Sequence, residues 1–273
     1  LYSLLDLLAV SIASDIVPIT GENRILMQYG LKRLNSNPSI GLKAIIDVCD
    51  LKGKEITTSD IVFKIGPRIN ASGRMSSGKE SVELLVAKDY VSAKEKSDLI
   101  DNYNKTRKDL DKQATDEAHR EILKLKTLGE KSSIVVYNQE WNKGVIGIVA
   151  SRLSEQYFKP AVVLTLSNGM ATGSARSIAG FDLYKAIDSC RDLLENFGGH
   201  IYAAGLTLKL ENVKEFKERF EDYVSKNITE EQKIPQIDID TELSLNEITD
   251  NFFDKLGQFA PYGPENTKPI FVT

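Results

Sequence analysis

The chain has 273 residues, 41% hydrophobic and 27% charged, with a formal net charge of −4. This is the composition of an ordinary soluble globular protein of about two domains, and no run of about 18 apolar residues suggests a membrane-spanning helix. Cys49 and Cys190 offer neither a disulfide framework nor metal-ligand spacing, so a reducing cytoplasm is the expected compartment.

Charge is unevenly spread. Glu211 to Lys255 holds 13 acidic and 6 basic residues, which leaves the remainder of the chain at +3. Within that remainder, Pro67 to Lys79 carries Arg68, Arg74 and Lys79 with no acid. Trp141 to Phe181 sets Lys143, Arg152, Lys159 and Arg176 against Glu155 alone. Screening removes charges beyond about 8–10 Å, so local positive surface decides whether a phosphate binds.

In chain order, "LLDLLAVSIASDIVPI" reads as a buried helix or strand that enters a loop at Asp15, with Pro18 blocking continuation. "RILMQYGLKRLN" reads as a helix ending near Asn35. Lys94 to Lys126 has 9 basic and 8 acidic residues and a thin apolar stripe through Leu99, Tyr103, Leu110, Ala114, Ala118, Ile122 and Leu125. Such polarity predicts a long solvated strut between domains, with a coiled-coil surface as the alternative.

Ser133 to about Lys226 reads as an α/β domain. "SSIVVY", "PAVVLTL", "GMATGSARS" and "IYAAGLTLKL" are expected strands. "GVIGIVASRLSEQYF", "FDLYKAIDSCRDLLENFGG" and Val213 to Val224 are expected helices, the second closed by a terminal glycine. "IDIDTELSL" alternates as a half-buried strand, "SLNE" is a capping box opening a helix through Leu256, and "PIFVT" is a further strand. The opening residues lack both an initiator Met and a basic signal-peptide start, so the chain reads as a piece of something longer.

Several stretches could carry chemistry, each with a plain structural alternative. Asp15 stands where a ligand could sit, or is simply a turn-forming carboxylate. "NASGR", Asn70 to Arg74, is either an anion clamp or a turn with a surface Arg. Gly144 and Gly147 open a helix, either baring its amides to an anion or allowing close packing. Ser174, Arg176 and Ser177 form a donor-rich strand end. Gly199, expected at positive φ, delivers His200 to the mouth of a strand of small residues. His200 then faces a flat or anionic ligand, or is a buried neutral ring bonded to a carbonyl.

Together, "IASDIVPITGENR", "KIGPRINASGRM", "WNKGVIGIVASRL", "GSARS", "FGGHIYAAG" and "FAPYGPENTKP" resemble, in order, the RecJ family of single-stranded-DNA exonucleases in the DHH phosphoesterase superfamily. The resemblance implies an α/β architecture in four parts. Residues 1–76 would be the rear of a DHH catalytic domain and 77–128 a connecting helix. Residues 129–230 would be the DHH-associated, substrate-binding domain, and 231–273 the start of an OB-like DNA-binding fold. It further implies Asp15 as a metal ligand and Arg74, Ser174, Arg176, Gly199 and His200 as contacts to single-stranded DNA, with His200 at the catalytic cleft. The implied activity is 5′-to-3′ phosphodiester hydrolysis with two Mn2+ or Mg2+ ions, in DNA repair and recombination.

The sequence departs from the family at Asn142, where His is frequent, and at Ser72, where Ala is. It has no DHH triplet and no early Asp-rich motif. Those motifs would lie before Leu1, so this chain is expected to be inactive alone. Two other readings remain open: a DHH-type phosphodiesterase of cyclic dinucleotides or short RNA, and a non-catalytic nucleic-acid module. The tail from "IDIDTELSL" argues against the first. The context of Asp15 argues against the second.

Overall fold

A computed structural model describes residues 2–124 and 131–273. Two compact units emerge, one made of residues 1–106 with 237–273, the other of 107–236. Leu125 and the expected boundary between 128 and 129 lie outside the described residues.

The first unit opens with α1 (Leu5–Ser14), α2 (Gly21–Ser36) and α3 (Ile40–Val48). Gly30 on α2 lets the first two helices touch, since a Cβ there would stand 2.4 Å from the Leu5 carbonyl oxygen. Asp6, fully buried, accepts a hydrogen bond from the Ser39 amide at 2.6 Å and pairs with Arg33 at 3.4 Å. A short turn, α4 (Thr58–Asp60), runs through π geometry at Ile61–Ile65 into α5 (Gly66–Met75), which carries Pro67 in its first turn. α6 (Lys79–Leu85) follows. Met27, Leu34, Ile45, Ile61, Ile65, Leu84 and Ile100 form the centre of this core.

α7 (Tyr90–Lys124) is one continuous helix. It is not polar all round: Ala93, Ser97, Ile100 and Asn104 are buried, as are Asp111, Ala114, Thr115, Ala118 and Ile122 further along. The strut expectation therefore changes. The first half adds Ala93 and Ile100 to the core of its unit, and the second half buries its own apolar and polar stripe.

The second unit is a five-stranded mixed sheet in the order β1 (Ile134–Tyr137), β2 (Ala161–Ser167), β3 (Met170–Arg176), β5 (Ala203–Leu208), β4 (Leu194–Gly199). β1 and β2 run parallel, joined by α8 (Ile146–Tyr157), and the other pairs are antiparallel. One face carries Val162, Leu164, Ala171, Ala175, Ala204, Leu206 and Leu208. It packs against α9 (Leu183–Asp188) and α10 (Val213–Asn227) through Leu183, Ile187, Phe216, Phe220 and Val224. α8 lies on the opposite face, over β2 and β3.

One expected helix ends early and gives way to a strand. α9 stops at Asp188, a 3-10 turn covers Arg191–Leu193, and Leu194 to Gly199 is β4. The apolar spacing of Leu183, Ile187, Cys190 and Leu194 fits a helix, yet pairing of Phe197 with Leu206 and Gly198 with Gly205 draws the second half into the sheet. Sheet hydrogen bonding here overrides local periodicity.

The tail belongs to the first unit. The nine-residue strand expected at "IDIDTELSL" shrinks to β6 (Thr241–Glu242), paired in parallel with β7 (Phe271–Val272). "SLNE" does form a capping box, but over a 3-10 turn, Leu245–Glu247. The true helix, α11 (Asp250–Gly257), starts later, where the Thr249 hydroxyl accepts from the Phe252 amide. Ser244 and Thr249 each offer an N-cap within a few residues of the other, so the sequence admits two starts.

The stacked pair Phe216 and Phe220, ring centroids 5.6 Å apart and both fully buried, fixes α10 on the sheet. Phe216→Ala is expected to cost about 3–5 kcal/mol in urea unfolding of the 107–236 unit. A loss below about 1 kcal/mol, the scale of an average substitution, would contradict that placement.

Candidate nucleic-acid interface

The face of the sheet opposite the aromatic core is covered unevenly. Alternation along β3 buries Ala171, Gly173 and Ala175 and turns Thr172, Ser174 and Arg176 to the α8 side. Register places Ser174 beside Gly205 and Gly205 beside Gly198 in one row, with Arg176 beside Ala203 at the strand end. A Cβ at Gly198 would meet nothing within 4 Å, and one at Gly205 only the Gly173 carbonyl oxygen at 3.9 Å. β5 and β4 thus present nearly naked backbone beside two polar side chains.

Gly147, in the first turn of α8, closes this arrangement. A Cβ there would stand 3.1 Å from Ser174 Oγ and 3.3 Å from Arg176 Nη2. The helix start therefore lies directly against both side chains. Its cap residue, Val145, makes no side-chain hydrogen bond to the first turn, and the first amides of any helix lack intrahelical acceptors. Arg176 Nη1 donates to Ser174 Oγ at 3.0 Å and to the Ala175 carbonyl at 2.8 Å, which holds the half-buried guanidinium back along its own strand. The alternatives posed for Gly147 are not exclusive: its close packing is what sets Ser174 and Arg176 beside the helix amides.

The approach to α8 is also fixed. Asn142 Oδ1 accepts from the Gly144 amide at 2.7 Å, and Thr165 Oγ1 donates to the Trp141 carbonyl at 2.6 Å. Trp141 Nε1 donates to Glu117 Oε2 at 2.8 Å. Bonds from Gln113 and from Trp141 hold the Glu117 carboxyl below the usual carboxylate range.

His200 is exposed, which removes the buried-ring alternative. Its amide donates to the Ala203 carbonyl at 2.9 Å, and its Nδ1 accepts from the Tyr202 amide at 3.2 Å. An accepting Nδ1 leaves the proton of the neutral ring on Nε2, as a donor. Gly199 has φ of +153°, at a strand end rather than the expected helix end. A Cβ there would lie 2.3 Å from the Ala203 carbonyl oxygen and 2.5 Å from Ala204 Cα, so only glycine fits beneath the histidine turn.

Asp15 and Arg74 belong to the first unit, whereas this cluster belongs to the second. Asp15 is exposed at the C-terminal cap of α1, and its carboxylate makes no hydrogen bond or ion pair among the described residues. The expected turn around Arg74 is instead the last turn of α5. That helix begins against Ser14, where a Cβ on Gly66 would come within 2.7 Å of Ser14 Oγ. Arg74 is eight residues on, about 12 Å along the axis. Among the described residues no group of three or more His, Cys, Asp or Glu could hold a metal ion. The described residues by themselves therefore do not make a divalent-metal site. A groove of about 650 Å³ in this unit, lined by Leu31, Ile56, Pro261 and Tyr262 among others, includes neither Asp15 nor Arg74.

The DHHA1 domain model matches residues 130–226, and the RecJ OB domain model matches residues 239–273. The chain is 38% identical over 268 residues to the single-stranded-DNA-specific exonuclease RecJ of Bacillus subtilis, covering 97% of this chain and 34% of that protein. It is 33% identical over 279 residues to the protein of the same name from Dickeya dadantii, covering 99% and 48%. The crystal structure of RecJ from Thermus thermophilus in complex with Mg2+ superposes with a TM-score of 0.88 at 28% identity, over 99% of this chain and 41% of that one. A manganese-bound exonuclease RecJ gives 0.69 at 30%, over 83% and 56%. The chain is thus similar to RecJ proteins over nearly its whole length, and it spans roughly a third to a half of the length of these curated relatives.

The Glu117 contact yields a pH prediction. A depressed carboxylate stabilises the fold fully above its unfolded pKa, about 4.5, and the contribution is lost as pH falls through the lowered folded value. Trp141 is the sole tryptophan, so its fluorescence should change with a midpoint below 4.5, and Glu117→Gln should remove that step. A midpoint above 4.5 would contradict the assignment.

Proposed function

We propose that this chain is the strand-guiding part of a 5′-to-3′ single-stranded-DNA exonuclease, and that the 107–236 unit seats the DNA backbone. One observation carries the reading: Ser174 and Arg176 are held against the first turn of α8 by Gly147, beside a row of uncovered glycines. A phosphate there meets a guanidinium, a hydroxyl and helix amides at once, the donor set that oxyanions favour. The bare backbone of Gly198 and Gly205 lets the sugar–phosphate chain lie close. His200, with its Nε2 donor, is a substrate contact at the end of this track, and Gly199 gives it room. Within the first unit, Arg74 is a separate candidate contact to a DNA phosphate.

The hydrolysis itself requires two Mn2+ or Mg2+ ions, which would activate water and neutralise charge on the phosphodiester. Among the described residues Asp15 is the one candidate ligand, too few oxygens to hold an ion, and we expect the chain alone to hydrolyse nothing. Repair and recombination of DNA in the cytoplasm is the corresponding cellular role. The match to a RecJ OB domain at residues 239–273 favours this reading over a phosphodiesterase of cyclic dinucleotides or short RNA.

Binding of 5′-phosphorylated oligo(dT) across a salt series tests the proposal. Each neutralised phosphate contributes a slope of about −0.7 in log K against log salt for single strands. Arg176→Ala should weaken binding roughly 10- to 100-fold, as loss of a charged hydrogen bond implies, and flatten the slope by about 0.7. Affinity that is salt-independent, or unchanged in Arg176→Ala, would overturn it.

A further inference from the structure

The turn that carries His200 holds a second ring that the phosphate track leaves unexplained. Tyr202 is 53% exposed, and its hydroxyl makes no hydrogen bond among the described residues. Its backbone is fixed on both sides. The Tyr202 carbonyl accepts from the Ser177 amide at 2.9 Å, and the Tyr202 amide donates to His200 Nδ1 at 3.2 Å. The neighbouring Ile201 carbonyl accepts from the Leu183 amide at 3.1 Å. The two rings meet edge to face, centroids 6.2 Å apart and planes at 72°.

This places a rigid aromatic pair at one defined spot. Ala203 is directly opposite Arg176, the last residue of β3. Tyr202 precedes Ala203, so its backbone lies at the β3 and β5 strand end, beside Ser177 and one residue past the Arg176 pairing. Directly opposed strand residues are about 4.5–5.5 Å apart and one residue further adds about 3.3 Å. That backbone spacing is short enough for one nucleotide to reach from a phosphate seated on β3 to a base at the turn. A large exposed ring that does not pack into the core, on a turn adjoining the strand end that carries a cation and a hydroxyl, is the composition of a single-strand stacking platform.

We propose that Tyr202, buttressed edge-on by His200, is the stacking surface for the base whose phosphate is seated at Ser174 and Arg176. The inference rests on the phosphate reading above. It adds that recognition here uses a base face, not a base edge, and is therefore tolerant of sequence. Tyr202 thus selects for strands in which a base is unstacked and free to pair with the ring, a property that duplex DNA lacks.

The test compares two probes on the full chain: 5′-phosphorylated oligo(dT), and a 5′-phosphorylated abasic deoxyribose-phosphate chain of equal length. Loss of one stacked base is worth about 1–3 kcal/mol, so Tyr202→Ala should weaken oligo(dT) binding roughly 5- to 150-fold. Tyr202→Phe should restore it, and the abasic probe should bind Tyr202→Ala as it binds the parent. Undiminished oligo(dT) binding by Tyr202→Ala, or an equal loss on both probes, would overturn the inference. Should Tyr202→Ala fail to fold, Tyr202→Leu read on the same two probes decides the point in the same way. Arg176→Ala separates the two proposals. If it weakens both probes while Tyr202→Ala weakens neither, the phosphate seat survives and the stacking role falls; if it weakens neither probe, the phosphate reading falls.

Discussion

The two faces of the five-stranded sheet are closed to different extents, and the candidate interface follows from that inequality. On one side, Phe216, Phe220, Leu183 and Ile187 fill the space over β2, β3 and β5. On the other, α8 covers β2 and β3, while Gly205 and Gly198 stay exposed. The uncovered backbone costs buried apolar area, and a bare glycine row contributes nothing to strand stability. The large aromatic layer beneath offsets this, at about 25 cal/mol per Å² of apolar surface removed from water. The site is thus a locally weak surface carried on a strong core.

Close approach is the second constraint. Gly147 and Gly199 stand at different ends of the proposed track, and in each case a single methyl would intrude. At Gly147 the intrusion would meet Ser174 and Arg176; at Gly199 it would meet the backbone of Ala203 and Ala204. Side chains can yield by a few tenths of an ångström, but a strand backbone cannot without breaking its ladder. Position 199 is therefore the less forgiving of the two, and it explains why the exposed, titratable ring of His200 stands in so bare a stretch.

Much of this was readable in the residues. Alternation and turn chemistry marked β2, β3 and β5, and the donor-rich end of β3 singled out Ser174 and Arg176. The strand at Leu194 to Gly199 was not readable, because its first leucine continues the spacing of α9 and only its partner strand decides otherwise. Nor was the uncovered row: Gly198 and Gly205 become a surface only once α8 is seen to stop short of β5. Tyr202 had one faint signal, an aromatic residue inside a run of small ones. At the other extreme, "IDIDTELSL" alternates for its full length, yet pairs only at Thr241 and Glu242, since alternation needs a partner strand to become a sheet. Local position raises Asp15 as either a ligand contact or a turn-forming carboxylate, and only the resemblance implies a metal ligand; its exposed place at a helix end, with no ligating neighbours among the described residues, is why residue physics leaves that choice open.

The central claim is that the phosphate seat lies on the α8 side of this sheet. Backbone amide NMR during titration with thymidine 5′-monophosphate tests it most directly. The account predicts shifts concentrated at Ile146, Gly147, Arg176 and His200, with the amides of α10 around Phe216 unmoved. Shifts confined to α9 and α10, or to the 1–106 unit, would contradict it.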